Sequence, residues 1–110
     1  TGTPLNDVAE AQAVARVFPH RPALSSSKGQ LGHAIAAAGA VELAVLLAAF
    51  AGDGLPPNPH LTNPDPAIDA DLVEPGGRRG APGVALSNSF GFGGQNASLL
   101  IAHPEHEAAR

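Results

Sequence analysis

Ser26-Ser27-Lys28-Gly29-Gln30-Leu31-Gly32-His33 runs straight into the alanine-rich apolar stretch Ala34 to Phe50, and the fold turns on how that junction is read. A glycine-punctuated turn followed by a long apolar run predicts a helix over His33 to Phe50. Ile35, Val41, Leu43, Val45, Leu46 and Leu47 fall on several faces of that helix, so other elements are expected to cover it on most sides. Gly39 within it predicts close approach by another backbone. Leu31 to Phe50 has the length of a membrane span, but alanine adds little hydrophobicity and Glu42 sits near the middle. A charge there costs roughly 3 kcal/mol. A buried helix is the better reading, and no membrane partner is expected.

Upstream, Asp7 and Glu10 form a D-x-x-E variant of the capping box, and Val8, Ala11, Ala15 and Phe18 recur at helical spacing. The first helix is expected to end near Pro19. Ala23 to Ser26 reads as a short strand. Downstream, Pro56, Pro57, Pro59, Pro64, Pro66, Pro75 and Pro82 block regular structure from Gly52 to Gly83. Leu55, Leu61, Ile68 and Leu72 are spaced apolar anchors, so this segment is expected to be extended and pinned to a surface. Gly76-Gly77-Arg78-Arg79-Gly80 reads as an exposed turn, with phosphate binding by its arginines as the weaker alternative. Val84 to Ser87 and Asn96 to Ala102 read as strands joined by Phe90-Gly91-Phe92-Gly93-Gly94, an antiparallel hairpin.

The resulting order is helix, strand, helix, long loop, strand, strand. It predicts a layered α/β fold with a helix packed on an incomplete sheet. One domain over residues 1–103 is expected, followed by a polar tail over 104–110.

Composition narrows the function classes. A chain of 110 residues with 44% hydrophobic and 15% charged residues is a core-rich piece rather than a disordered one. Six basic residues and a net charge of -4 argue against nucleic acid as a partner. Cysteine is absent, which removes thiolate metal sites and cysteine nucleophiles from this stretch. Neither a basic start nor an apolar run with a cleavage site marks a targeting segment. Methionine is absent even at position 1, so Thr1-Gly2-Thr3-Pro4 reads as the middle of a longer chain.

Two places carry chemistry. At a helix N-terminus, unpaired N–H groups and the macrodipole disfavour imidazolium, so His33 is expected to be neutral, offering a lone pair and a hydrogen bond. Lys28, the only lysine, lies across the glycine turn from it, and Glu10 is the natural carboxylate to pair with that lysine. A capping histidine and a surface lysine are the plain alternatives. In the second place, Gly91, Gly93 and Gly94 around Phe92 permit positive φ and let a ligand reach the main chain, so the Phe92 N–H can act as an oxyanion donor beside its own apolar ring. A hairpin turn with core aromatics explains the same letters. Gly91-Phe92-Gly93-Gly94 does not open a helix after a strand, so a dinucleotide fingerprint fits poorly. Lys28 precedes its glycine, which excludes a Walker loop.

Four motifs in order now carry a resemblance: T-G-T-P-L-N-D at Thr1 to Asp7, S-S-S-K-G-Q-L-G-H-A-I-A-A-A-G-A-V-E at Ser25 to Glu42, L-P-P-N-P-H-L-T-N-P-D-P at Leu55 to Pro66, and S-N-S-F-G-F-G-G-Q-N-A-S at Ser87 to Ser98. The chain resembles the C-terminal part of the β-ketoacyl-[acyl-carrier-protein] synthases, elongating condensing enzymes of the thiolase-like fold. The resemblance implies decarboxylative Claisen condensation of malonyl and acyl thioesters delivered by acyl carrier protein, in fatty acid or polyketide synthesis. It implies a cytoplasmic homodimer and no cofactor beyond the carrier's phosphopantetheine.

Carried over residue by residue, His33 matches the second catalytic histidine, which holds the malonyl thioester carbonyl and stabilises the enolate. Lys28 matches the lysine that orders that site, and Glu10 its acidic partner. Thr1 and Thr3 match threonines that bind the pantetheine arm. Phe92 matches the residue whose N–H completes the acyl oxyanion hole and whose ring gates the acyl pocket. Glu42, Ser87 and Asn88 match positions around a structural monovalent cation in some members.

The family's first histidine belongs two residues before Thr1, and its cysteine in the preceding half. The 110-residue stretch alone is therefore expected to be inactive and poorly soluble. A non-catalytic chain-length-factor subunit of a polyketide synthase is the alternative within the family, though retention of Lys28 and His33 favours the enzyme. An unrelated α/β binding module with similar turns is the alternative outside it.

Overall fold

The computed structural model describes residues 1–106. Its elements run α1 (Asn6–Val17), β1 (Ala23–Leu24), α2 (Lys28–Leu31), a 3-10 turn (Ile35–Ala37), α3 (Ala38–Ala51), β2 (Gly54–Leu55), β3 (Asp71–Leu72), β4 (Arg78–Arg79), β5 (Val84–Phe90), a second 3-10 turn (Phe92–Gly94) and β6 (Asn96–Ala102). Mixed helix and strand bear out an α/β class. The sheet is smaller than expected: the strands pair two by two, β1 with β3, β2 with β4 and β5 with β6. Contacts gather the chain into two compact units, Thr1–His33 with Pro56–Arg78, and Ala34–Leu55 with Arg79 onward.

In the first unit, α1 buries Ala11 and Val14. Both line a shallow hollow with Phe18, Pro22 and Leu24. Ala15, expected inside, is exposed. The capping box does not form. Leu5 occupies the cap position with no side-chain bond, and the Asp7 carboxylate turns back to accept from the Gly2 N–H at 3.2 Å and the Thr1 hydroxyl at 3.4 Å.

β1 is shorter than expected and pairs in parallel with β3, Ala23 opposite Asp71 and Leu24 opposite Leu72. The proline-rich segment, read as free of strand, thus supplies strands of its own. One rung beyond that pair, the Val73 N–H donates to the Leu24 carbonyl at 2.9 Å. Val73 is 1% exposed, the most buried side chain of the described residues.

The expected helix from His33 does not begin there. Gly32 (φ 77°) ends α2, Ile35 takes a positive φ of 50°, and α3 starts only at Ala38. Positive φ at a β-branched residue is costly, so the break is held by surrounding structure and not by Ile35 itself.

In the second unit, α3 packs against β5. Ala49 and Phe50 are its only buried residues, and Leu47 is 53% exposed, so cover on most sides is absent among the described residues. The neighbour of Gly39 is the Ser89 hydroxyl, at 3.7 Å from where a Cβ would stand, an ordinary contact with a side chain rather than a backbone.

The β5–β6 hairpin is fully antiparallel from Val84 opposite Ala102 to Phe90 opposite Asn96. β5 continues past the expected end at Ser87 to Phe90. Because side chains alternate, Ser87 and Ser89 face α3 while Val84, Leu86 and Leu100, the partner of Leu86, share the opposite face. That second face is open: Val84, Leu86 and Leu100 are 44%, 38% and 68% exposed. His103 follows β6 and sets its ring edge-on to Phe50 at 5.8 Å between centroids. Of the expected tail, residues 107–110 lie outside the described residues.

Candidate functional site

The Lys28 turn is built from main-chain groups and the Ser26 hydroxyl. The Ser26 hydroxyl accepts from the Lys28 N–H at 3.3 Å, and the Ser27 carbonyl accepts from Gln30 and Leu31. The Gly32 N–H then closes on the Lys28 carbonyl at 2.9 Å. Gly32 can leave this turn at φ 77° because it has no Cβ, and the chain passes into His33. His33 is exposed and Lys28 half-buried. Since α3 begins at Ala38, His33 follows the end of a one-turn helix instead of opening a long one. The macrodipole argument for its neutrality therefore loses its geometry.

Glu10 is half-buried on α1, in the same unit as Lys28 and His33. Thr1 and Thr3 are brought together, hydroxyl to hydroxyl at 2.8 Å. Their pairing leaves an exposed, hydroxyl-rich edge next to α1.

What the sequence did not single out is Asn58. Its Nδ2 donates to the carbonyls of Leu24 and Val73, both at 2.9 Å, and its Oδ1 accepts from the Ser26 N–H at 2.8 Å. One carboxamide therefore joins the ends of β1 and β3 to the residue that starts the Lys28 turn. The available signal was a single asparagine framed by Pro56, Pro57 and Pro59.

In the second unit, the Phe92 ring is fully exposed at 103%. Around it the three glycines do different things. Gly93 (φ 76°) and Gly94 (φ 78°) use the left-handed region as expected. Gly91 does not: at φ -111° it is extended, and its need is space, since a Cβ would stand 2.8 Å from the Gln95 carbonyl oxygen. The Gly91 N–H donates to that same oxygen at 3.1 Å, and the Gly94 N–H to the Gly91 carbonyl at 3.2 Å. The turn is thus fixed by its own backbone, leaving the ring outside.

Glu42 and Ser87 do meet: the serine hydroxyl donates to Oε2 at 3.4 Å. The Asn88 Oδ1 accepts instead from the Ser98 hydroxyl at 2.7 Å across the hairpin, on the face turned away from Ser87. Glu42 and Ser87 are hard oxygen donors, which suits a hard cation. No group of three or more histidine, cysteine or acidic side chains poised for a metal occurs among the described residues.

Arg78, a candidate phosphate ligand, is occupied within the protein by Asp71 and Glu74 at 2.7 to 3.1 Å. No helix of the described residues is long and apolar enough to cross a membrane.

The C-terminal domain model of the β-ketoacyl synthases matches residues 1–62. The chain is 42% identical over 104 residues to 3-oxoacyl-[acyl-carrier-protein] synthase 2 of Synechocystis, covering 92% of this chain and 25% of that protein. It is 41% identical over 102 residues to the protein of the same name from Mycobacterium tuberculosis, with 92% and 24% covered. With the chloroplastic 3-oxoacyl-[acyl-carrier-protein] synthase II of Arabidopsis thaliana it shares 43% over 105 residues, with 93% and 19% covered. The chain spans about a quarter or less of the length of these relatives. A domain match over more than half the chain, together with relatives aligned through both glycine turns, identifies it: the chain belongs to the β-ketoacyl synthase family and carries its C-terminal domain.

Proposed function

We propose that this chain is the C-terminal part of a 3-oxoacyl-[acyl-carrier-protein] synthase that extends acyl chains in fatty acid synthesis. The supporting observation is alignment over 92% of the chain with synthases of that name, at 42% identity, through both the Lys28–His33 turn and the Phe92 turn. The proposal includes a thiolase-like layered fold, completed by sheet and helix that the described residues do not supply.

In the proposed reaction the acyl group is held as a thioester on a cysteine outside this chain. The malonyl thioester on acyl carrier protein loses carbon dioxide: its C–C bond to the carboxylate breaks, and the electron pair passes into the thioester enolate. That carbon attacks the acyl carbonyl, a C–C bond forms, and the cysteine thiolate leaves. His33 donates a hydrogen bond to the malonyl thioester oxygen, where charge builds in the transition state. Lys28 and Glu10 order that site, and Thr1 and Thr3 receive the pantetheine arm. The Phe92 N–H serves the acyl oxyanion, and its ring gates the acyl pocket. The scheme draws on no cofactor besides the carrier's phosphopantetheine, and it takes place in a cytoplasmic homodimer.

The test is malonyl-thioester decarboxylation by the longer protein. His33→Ala and Lys28→Ala are each expected to lower it at least about a hundredfold, the scale of losing a donor aimed at developing charge. Unchanged decarboxylation in His33→Ala sinks the proposal. A nucleophile position lacking cysteine in the longer protein would turn the assignment toward a chain-length-factor subunit.

A further inference from the structure

We propose that Asn58 is a positioning residue for the Lys28–His33 turn, holding it to the β1–β3 pair; the proposal rests on the function given above. Both amide hydrogens of its side chain are used on carbonyls, those of Leu24 and Val73, and its oxygen is used on the Ser26 N–H. Carbonyls accept only, and an N–H only donates. The three partners therefore require a group with two donors and an acceptor in one plane, which a carboxamide has and a carboxylate or hydroxyl has not.

The Leu24 carbonyl accepts twice, from the Val73 N–H and from Asn58, so the side chain adds a rung where the strand ladder ends. On its other side, Ser26, fixed by its main-chain N–H, presents its hydroxyl to the Lys28 N–H. The Gly32 N–H closes that turn, and His33 follows. Packing runs along the same path: a Cβ at Gly29 would stand 3.4 Å from the Pro59 carbonyl, so the turn lies directly on the Asn58–Pro59 segment. Val73, against which this is anchored, is the most buried side chain described. A displaced turn would misplace Lys28 and His33 by a fraction of the Asn58 side chain's length, and errors near 1 Å in catalytic groups cost about a hundredfold.

The experiment compares two half-reactions of the longer protein, decarboxylation of malonyl thioester and transfer of an acyl group to the enzyme. Asn58→Leu, close in volume and without polar atoms, is expected to lower kcat for decarboxylation by about ten- to a hundredfold. KM should stay within about threefold and acyl transfer should be unchanged, the pattern of an interaction lost in one transition state. If Asn58→Leu fails to fold, Ser26→Ala carries the test, with an expected loss of about three- to tenfold in decarboxylation alone from one missing hydrogen bond. Equal loss of both half-reactions, or loss of neither, overturns the proposal. His33→Ala run in parallel separates the two claims: if it abolishes decarboxylation while the Asn58 and Ser26 variants spare it, positioning fails and the proposed function stands. If His33→Ala also spares it, both fail.

Discussion

Arg78 and Asp71 meet fork to fork, Nη1 2.7 Å from Oδ2 and Nη2 2.8 Å from Oδ1, and the same guanidinium reaches Glu74 at 3.0 Å and the Leu72 carbonyl at 3.3 Å. With Nε also donating to Glu74 Oε2 at 3.1 Å, five acceptor oxygens on one cation tie β3 to the turn that follows it. The hydrogen bonds from Arg78 hold the Asp71 and Glu74 carboxyls below their usual 3.8 and 4.5, and push the guanidinium up.

That geometry sets a pH dependence. Both carboxyls titrate lower in the folded protein than in the unfolded chain, so their contribution is complete above the unfolded values and is lost as pH falls through the folded ones. Asp71 is half-buried and Glu74 exposed, so solvent screens both and the effect is modest. Arg78→Ala should lower the urea midpoint at pH 7, and the gap from the wild type should close as pH drops below 3.8. A gap of the same size at pH 7 and pH 3 would show that the ion pairs are not its source.

At the hairpin tip, the two kinds of glycine predict different penalties. Gly91→Ala drives a Cβ onto the Gln95 carbonyl, a backbone atom that cannot swing away. Gly93→Ala meets no atom and suffers only the left-handed φ, a cost of about 1–2 kcal/mol. Thermal melts should therefore rank Gly91→Ala as the more damaging, and Gly93→Asn as milder than Gly93→Ala, since asparagine tolerates that region. The reverse order would mean the turn adopts another conformation in solution.

Phe92 should separate stability from activity. Its ring touches little, so Phe92→Ala should change stability by less than about 0.5 kcal/mol. The main-chain N–H survives the substitution, and with it the proposed oxyanion contact. Acyl-donor preference should broaden while decarboxylation persists. A large drop in melting temperature would place the ring in a core and remove its proposed role as a gate.

Glu42 and Ser87 allow a decision on the cation. If the pair helps hold a monovalent ion, the melting temperature should rise with potassium in the wild type, and that rise should vanish in Glu42→Gln. If the 3.4 Å hydrogen bond is all there is, Ser87→Ala should cost about 1 kcal/mol with no potassium dependence.

Expressed alone, the 110 residues should associate. Val84, Leu86 and Leu100 form an apolar face on a two-stranded ribbon whose outer edges are unpaired in the described residues. Size-exclusion chromatography should give aggregates or recovery only from inclusion bodies. A monodisperse monomer with a cooperative melt would count against an uncovered face.

Elements set by local chemistry were legible in the sequence. β6 runs from Asn96 to Ala102 as its apolar pattern predicts, α1 stops at Val17 just ahead of Pro19, and the tip of the hairpin falls on the glycines. What depended on distant partners was not. Nothing in Ala34-Ile35-Ala36-Ala37 announces a break, because those residues favour helix, and the positive φ of Ile35 is imposed from outside the local sequence. The capping box failed because the Gly2 N–H and the Thr1 hydroxyl compete for the Asp7 carboxylate. Asn58 escaped because its work is done on carbonyls 34 and 15 residues away, a relation without period. Of the candidate site, the turns were readable as motifs, while the carboxamide that anchors one of them was visible only in three dimensions.

Pro56, Pro57 and Pro59 give that carboxamide a further property. Each pyrrolidine ring locks its own φ, and a residue preceding proline is confined to extended backbone, so the flanks of Asn58 are already narrowed in the denatured ensemble. Little freedom is left to surrender when the side chain docks. A stretch that lacks any repeating ladder can in this way be stiffer than a short helix, and its loops would be expected to tolerate heat better than their irregular outline suggests.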